Sequence, residues 1–343
     1  MITVRLTGPR SLLLAEEPIP DIRPDEALLK IEAVGVCGSD LHRYRGITFE
    51  NDSNFQLILG HEFSATVAKV GAKVGNVQVG DRVAVEAGIN CGECEWCLRG
   101  HPNLCPNVQF CGTPPVHGAL REYMPWPARL LYKLPDSLTF DDGVMVEVAG
   151  VAMHAIDLAN MRPGQSAAVL GSGPIGLATT HLLRRTVGAL LIVATDILPY
   201  RLDYAANMGA DLCLNPQRTD VVAQVLRLTN GRGVDVVFEA AGVEQTCEQA
   251  VQICAPGGKV VFIGIPEDDR TPFATTPARR KGLTFRFCRR SKHTYQRTIE
   301  MIERSVIDLS SLVTHHFPIS RAKDAYDLVE QYQDGVVKAI INP

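Results

Sequence analysis

Ser166-Ala-Ala-Val-Leu-Gly171-Ser-Gly173-Pro-Ile-Gly176 is the stretch on which the fold turns. Its uncharged apolar run predicts a short buried strand, and the glycines that follow open a helix-like stretch to about Thr186. Three glycines in six residues are weak evidence alone. The strand before them, the helix after them, and Asp196 at the end of Leu190-Leu-Ile-Val-Ala-Thr-Asp196 make the pattern specific. Gly171 permits a tight turn, Gly173 lets the backbone approach a pyrophosphate, and Gly176 allows close packing of helix on strand. The helix N-terminus adds free N–H groups and a partial positive charge, which suit phosphates. Asp196 can accept hydrogen bonds from an adenosine ribose, and its charge would repel a 2′-phosphate, so the spacing predicts NAD rather than NADP. Pro174 and Ile175 in the first helical turn and Arg201 beyond Asp196 complete the candidate cofactor-binding set.

Working outward, Asp211-Leu-Cys-Leu, Val234-Asp-Val-Val-Phe-Glu, Lys259-Val-Val-Phe-Ile-Gly and Leu283-Thr-Phe-Arg-Phe read as further strands with helical segments between them. Six apolar strands alternating with helices predict an α/β doubly wound parallel sheet over 151–287. Residues 1–150 differ, with short runs such as Ala27-Leu-Leu-Lys-Ile-Glu-Ala-Val and Gly80-Asp-Arg-Val-Ala-Val broken by Gly, Pro and Asp. These are strand-and-turn signals, so the first part should be largely β. The closing segment, 288–343, does not extend the alternating pattern and is expected to complete the first domain.

Two ligand sets stand in the β-rich part. Cys91-Gly-Glu-Cys94-Glu-Trp-Cys97, with Cys105 closing the loop, offers four thiolates to a tetrahedral Zn²⁺ and leaves no open position, so this zinc should be structural. Cys37, in Val-Gly-Val-Cys-Gly-Ser-Asp, and His61-Glu62, in Leu-Gly-His-Glu, offer thiolate, imidazole and carboxylate. A mixed set of three with a fourth position free is the catalytic pattern. Glu147 is a further candidate, a lone charge in the apolar run Val144-Met-Val-Glu-Val-Ala-Gly, where an unpartnered carboxylate is costly. Two zinc ions per chain are therefore expected.

Composition bounds the rest. The chain has 343 residues, 46% hydrophobic and 21% charged, with a formal net charge of −4. That length suits two domains. With no block of Lys and Arg, a nucleic-acid or acidic-lipid surface is not expected, and a zinc-ribbon nucleic-acid binder conflicts with the acidic balance. No run approaches a membrane span, and Ser11-Leu-Leu-Leu-Ala is too short for a signal-peptide core. Ten cysteines without an export signal point to a reducing, cytoplasmic setting and metal binding rather than disulfides. Cys111, Cys213, Cys247, Cys254 and Cys288 read as small core residues.

At this point the chain resembles the zinc-containing medium-chain dehydrogenase/reductase family, and within it the polyol (sorbitol/xylitol) dehydrogenases. The resemblance covers essentially the whole chain. Gly60-His61-Glu62 with Gly71 matches the family's zinc signature, with Ala65 where a glycine is usual. Phe110-Cys-Gly-Thr-Pro-Pro115, Tyr132-Lys-Leu-Pro-Asp-Ser137, Phe285-Arg-Phe-Cys288 and Val313-Thr-His-His-Phe-Pro318 resemble stretches of sorbitol dehydrogenases. Glu147 falls where those enzymes carry the Glu of a Glu-Pro-Leu-Ser pattern, although here Val148-Ala149-Gly150 follow. The resemblance implies a GroES-like catalytic domain holding both zincs, a Rossmann domain and a homotetramer. It also implies oxidation of a secondary hydroxyl by hydride transfer to NAD. In that scheme Cys37, His61 and Glu62 hold the catalytic zinc, and Glu147 is either a direct ligand or a partner of zinc-bound water. Ser39 takes the hydroxyl proton, His42 passes it on through the cofactor ribose, and Asp40 fixes the tautomer of His61. Asp40 could instead cap the helix starting after Gly38. Ser39, Thr113, Glu147 and Arg286 are the substrate-binding candidates. A secondary-alcohol or L-threonine-type dehydrogenase is the nearest enzymatic alternative, and a non-catalytic nucleotide-binding member of the same fold is the alternative outside enzymes.

Overall fold

The computed structural model describes residues 1–47 and 56–343. The chain divides into two compact units, Met1–Glu147 with Tyr295–Pro343, and Val148–Thr294.

In the first unit, strand Glu26–Gly35 is the organising element. It pairs antiparallel with Glu62–Val70, with Tyr123–Pro127, and through Val34 and Gly35 with the terminal strand Lys338–Asn342. Apolar side chains at Ala27, Leu29 and Ile31 are buried in one core on a period of two, and past a register shift Val34 takes up that core while Ala33 packs with Val144 and Ile340. The terminal strand in turn pairs parallel with Val313–Pro318; Tyr295–Pro343 groups with the first unit, whereas 288–294 stays with the second. Ile2–Gly8 and Ser11–Glu16 form an N-terminal hairpin. Its second strand contains the Ser11-Leu-Leu-Leu-Ala run, with Leu13 and Leu14 exposed. Trp126, Phe63, Leu29, Ile31, Tyr44 and Tyr326 lie in the main core of this unit.

The second unit is a six-stranded parallel sheet, Ser166–Leu170, Leu191–Thr195, Leu212–Leu214, Val234–Glu239, Cys254–Phe262 and Thr284–Phe287. In spatial order these are the third, second, first, fourth, fifth and sixth. This is the doubly wound order whose reversal, beside the first strand, creates a crevice at the strand C-termini. The central strands are buried on both faces, which is why they read as continuous apolar runs rather than alternating ones.

The largest departure from the strand-and-turn expectation for residues 1–150 is a helix. Phe140–Ala159 is a helix of 20 residues, and it carries the chain from the first unit into the second. Its valines and glycines resemble strand material locally, but from Val144 to Gly150 every residue is buried. A helix sheathed in protein shows no polar face by which its period could be recognised. Among the described residues no helix is long and apolar enough to cross a membrane.

Candidate metal and cofactor sites

Cys37 leaves the end of strand Glu26–Gly35 in an extended conformation and becomes the N-cap of helix Gly38–Tyr44. Gly60, at φ +92°, turns the chain just before His61, and a Cβ there would lie 2.7 Å from Val34 Cγ1. Glu62 then opens the next strand directly opposite Gly35. Strand pairing thus brings residues 37, 61 and 62 together, and their ligand atoms all lie within 4.8 Å of one another.

The surroundings orient these groups. Asp40 Oδ1 accepts a hydrogen bond from His61 Nδ1 at 3.2 Å, which leaves Nε2 with its lone pair for a metal. Asp40 Oδ2 has no hydrogen-bond partner among the described residues, so Asp40 serves His61 and not the helix end. Ser39 Oγ stands 3.4 Å from Cys37 Sγ and 3.5 Å from His61 Nε2. The Phe110 ring packs on His61 at 5.1 Å between centroids. Glu62 Oε2 accepts from Lys338 Nζ at 2.6 Å, and the same ammonium donates to Val36 O at 3.1 Å. Lys338 and Glu62 are both almost wholly buried, and a Cβ on Gly35 would press on Glu62 Oε2.

The protonation of this cluster follows from burial and from its neighbouring charges. Burial and the Glu62 carboxylate push the Cys37 thiol up, while burial opposes but Asp40 and Cys37 hold the His61 imidazole well above its ordinary value. Thiol and imidazole therefore retain protons that a metal would displace. Thiolate, imidazole and carboxylate fit Zn²⁺ in type and spacing. Glu147, on helix Phe140–Ala159, stands outside that mutually close set. It is near enough to be affected, since burial and then the charge of Glu62 raise its carboxyl to about 7.

The second cysteine set meets a stricter test. Cys91 Sγ lies 3.5 Å from Cys105 Sγ and 4.0 Å from Cys97 Sγ, and Cys94 Sγ lies 3.8 Å from Cys105 Sγ. Four sulfurs at ~2.3 Å from a tetrahedral zinc stand about 3.8 Å apart. Backbone N–H groups of Glu93 and Cys94 lower the Cys91 thiol to about 6, whereas burial raises Cys97 to about 12. A metal is what would let all four act as thiolates.

In the second unit the glycine-rich turn is formed as its spacing requires. Gly171 has φ +98°, and a Cβ there would meet Ala241 N at 2.9 Å. At Gly176 a Cβ would collide with Gly171 O. Gly173, the N-cap of helix Pro174–Leu182, faces open space apart from Arg201 Nη1. Asp196 directly follows the second strand, with Oδ2 accepting from Ser172 N and Oδ1 from Leu198 N, both at 2.9 Å. Arg201 Nη1 stands 3.9 Å from Asp196 Oδ2. The carboxylate of Asp196 is thus fixed beside the turn meant for the pyrophosphate, as a dinucleotide site demands.

Of the other candidates, His42 is half-buried on helix Gly38–Tyr44, and Thr113 Oγ1 accepts from Arg43 Nη2 at 3.3 Å. Arg286 is exposed on strand Thr284–Phe287. Two residues were missed. Lys338 is one, and its signal was a single ammonium in the apolar run Val336-Val-Lys-Ala-Ile-Ile. Glu239 is the other. Its buried carboxylate accepts from Ala241 N, Gly242 N and Thr246 Oγ1, and so shapes the loop that abuts Gly171.

Comparison with known proteins agrees with this geometry. Residues 23–136 match the alcohol dehydrogenase GroES-like domain, and residues 174–304 match the zinc-binding dehydrogenase domain. A sorbitol dehydrogenase of Bacillus subtilis is 36% identical over 97% of this chain and 95% of its own. An L-idonate 5-dehydrogenase of Vitis vinifera is 34% identical over 98% of this chain and 93% of its own. The solved structure of an Escherichia coli oxidoreductase of unknown specificity superposes with a TM-score of 0.94 at 35% identity, covering 99% of this chain and 98% of that one.

Proposed function

This chain belongs to the zinc-containing medium-chain dehydrogenase/reductase family, whose chemistry is oxidoreduction at a CH–OH group, and we propose that here it oxidises a secondary hydroxyl of a polyol to a ketose with NAD as acceptor. The observation that carries this is the convergence of Cys37, His61 and Glu62 with the Ser39 hydroxyl beside two of them.

Zinc held by Cys37, His61 and Glu62 would supply Lewis acidity that lowers the pKa of a substrate hydroxyl. NAD held at Gly171–Gly176 and Asp196 would supply the hydride acceptor. Ser39 Oγ is the protein atom placed to take the hydroxyl proton, and His42, three residues on in the same helix, is the next group to receive it. Asp40 keeps His61 in the tautomer whose Nε2 can ligate. Lys338 holds Oε2 of Glu62, so that the carboxylate, ionised and fixed in place, would be available to hold the metal. Phe110 covers one side of the imidazole and keeps water from it. A carboxyl near pH 7 at Glu147 can both donate to and accept from a second substrate hydroxyl. Thr113 and Arg286 supply further polar groups for the remaining hydroxyls. Cys91, Cys94, Cys97 and Cys105 would hold a second zinc, in a structural role. Asp196 favours NAD over NADP by its charge. The same reading includes a cytoplasmic homotetramer; strand Thr284–Phe287 is a sheet edge with Phe287 66% exposed, which supports self-association.

The experiment is kcat/KM for xylitol, sorbitol and galactitol beside 2-butanol and L-threonine, with NAD and with NADP. A polyol site holds polar groups that a simple alcohol leaves unpaired, so the polyols should be favoured. A tenfold advantage for 2-butanol or threonine would overturn the substrate class while leaving hydride transfer intact.

A further inference from the structure

We propose that Arg43 makes the metal site selective for polyols that carry an anionic group, a carboxylate or a phosphate ester, over neutral ones. This rests on the polyol reading and narrows it.

Arg43 lies four residues after Ser39 in helix Gly38–Tyr44, so the two side chains share a face. Ser39 is within 3.5 Å of both Cys37 Sγ and His61 Nε2, which puts the start of that face at the candidate metal. The far end is fixed from a second direction. Arg43 Nη2 donates to Thr113 Oγ1 at 3.3 Å, Thr113 N donates to Phe110 O at 3.0 Å, and the Phe110 ring packs on His61. The guanidinium is therefore tied to a loop that itself leans on one of the candidate metal ligands.

What singles out Arg43 is its charge balance. Its neighbours on this side of the unit are matched: Arg45 and Arg10 share Glu330, Lys338 has Glu62, and His61 has Asp40. Among the described residues Arg43 pairs with no carboxylate, and its one hydrogen bond is to a neutral hydroxyl. A guanidinium has five N–H donors in a planar fork, so a half-buried one with a single long contact has most of its donors unused. That fork matches the two oxygens of a carboxylate or phosphate. A neutral hydroxyl can satisfy one donor and none of the charge. A substrate with its reacting hydroxyl at the metal and an acidic group along its chain would complete the fork.

The test uses the zinc-loaded enzyme with NAD and compares kcat/KM within matched pairs: sorbitol with sorbitol 6-phosphate, galactitol with galactitol 1-phosphate, and sorbitol with D-gluconate. The wild-type protein should favour at least one anionic partner by about tenfold or more, the low end for a charge-assisted hydrogen bond. Phosphate esters preferred over gluconate would assign the phosphate, and the reverse the carboxylate. In Arg43→Gln the preference should collapse toward unity, and in Arg43→Lys much of it should survive. Each ratio is taken within one protein, so a general loss of activity cancels. Neutral polyols turned over as well as every anionic partner would overturn the proposal and leave the polyol reading standing. An anionic preference undiminished in Arg43→Gln would also overturn it. Turnover of no polyol, neutral or anionic, would instead overturn the reading on which it rests.

Discussion

Replacing Lys338 by methionine should destabilise the first unit more than any surface change, and the reason is the carboxylate it leaves behind. The Lys338 ammonium is 2.6 Å from Glu62 Oε2, and both side chains are 2% exposed. Burial alone would strip the proton from this lysine, yet the charge of Glu62 raises its pKa instead. The pair is therefore ionised and mutually dependent. Removing one partner of a buried ion pair costs about 3–5 kcal/mol, because the other charge is stranded. At roughly 2–4 °C per kcal/mol for a unit of this size, the melting temperature should fall by about 6–20 °C. The assay is a double-mutant cycle of Lys338→Met and Glu62→Gln, monitored by thermal and urea unfolding. Carried out in the Cys37→Ser background, which removes a metal ligand, the cycle reports on the ion pair rather than on bound zinc. Each single change should be costly, and the double variant should lose distinctly less than the sum. Losses below about 1 kcal/mol for each, or strict additivity, would refute the coupling.

Removing the charge of Asp196 should relax discrimination against NADP by about 1–3 kcal/mol in kcat/KM, the scale of a lost charged hydrogen bond. It should also weaken NAD binding, because the same carboxylate holds Ser172 N and Leu198 N. Comparable use of NAD and NADP by the unmodified protein would contradict the role of Asp196. Cys97→Ser should lower soluble yield and unfolding temperature, since a four-thiolate zinc site contributes folding energy directly; an unchanged melt would remove its structural role. Glu147 gives a pH signature. With its folded pKa raised from 4.5 to about 7, its favourable contribution is full below pH 4.5 and is lost as pH rises through 7. In the Cys37→Ser background, Glu147→Gln should match its parent near pH 4.5 and exceed it by about 3 kcal/mol above pH 8. A gap independent of pH would show that the carboxyl is not held neutral.

The second unit was legible because its strands are buried on both faces and punctuated by glycine. Each of the six apolar runs falls within or beside an observed strand, and the turn at Gly171–Gly176 has the contacts its spacing demands. The candidate metal ligands were legible as residue types in short motifs. Helix Phe140–Ala159 was not, because the burial of every residue from Val144 to Gly150 erases the period that would reveal it. Lys338 could have been flagged by the reasoning applied to Glu147, a lone charge in an apolar run. Its partner could not, since Glu62 is 276 residues away and only the sheet brings them together. The bond from Arg43 to Thr113 spans 70 residues and was hidden for the same reason.

Zinc content per chain, measured by mass spectrometry for the unmodified protein and for Cys37→Ser alongside NADH formation from xylitol and sorbitol, tests the two-metal dehydrogenase most directly. Two zincs and turnover are expected in the first. One zinc, an intact fold and no turnover are expected in the second. Equal zinc in both proteins, or turnover that survives in Cys37→Ser, would contradict a catalytic metal at Cys37, His61 and Glu62.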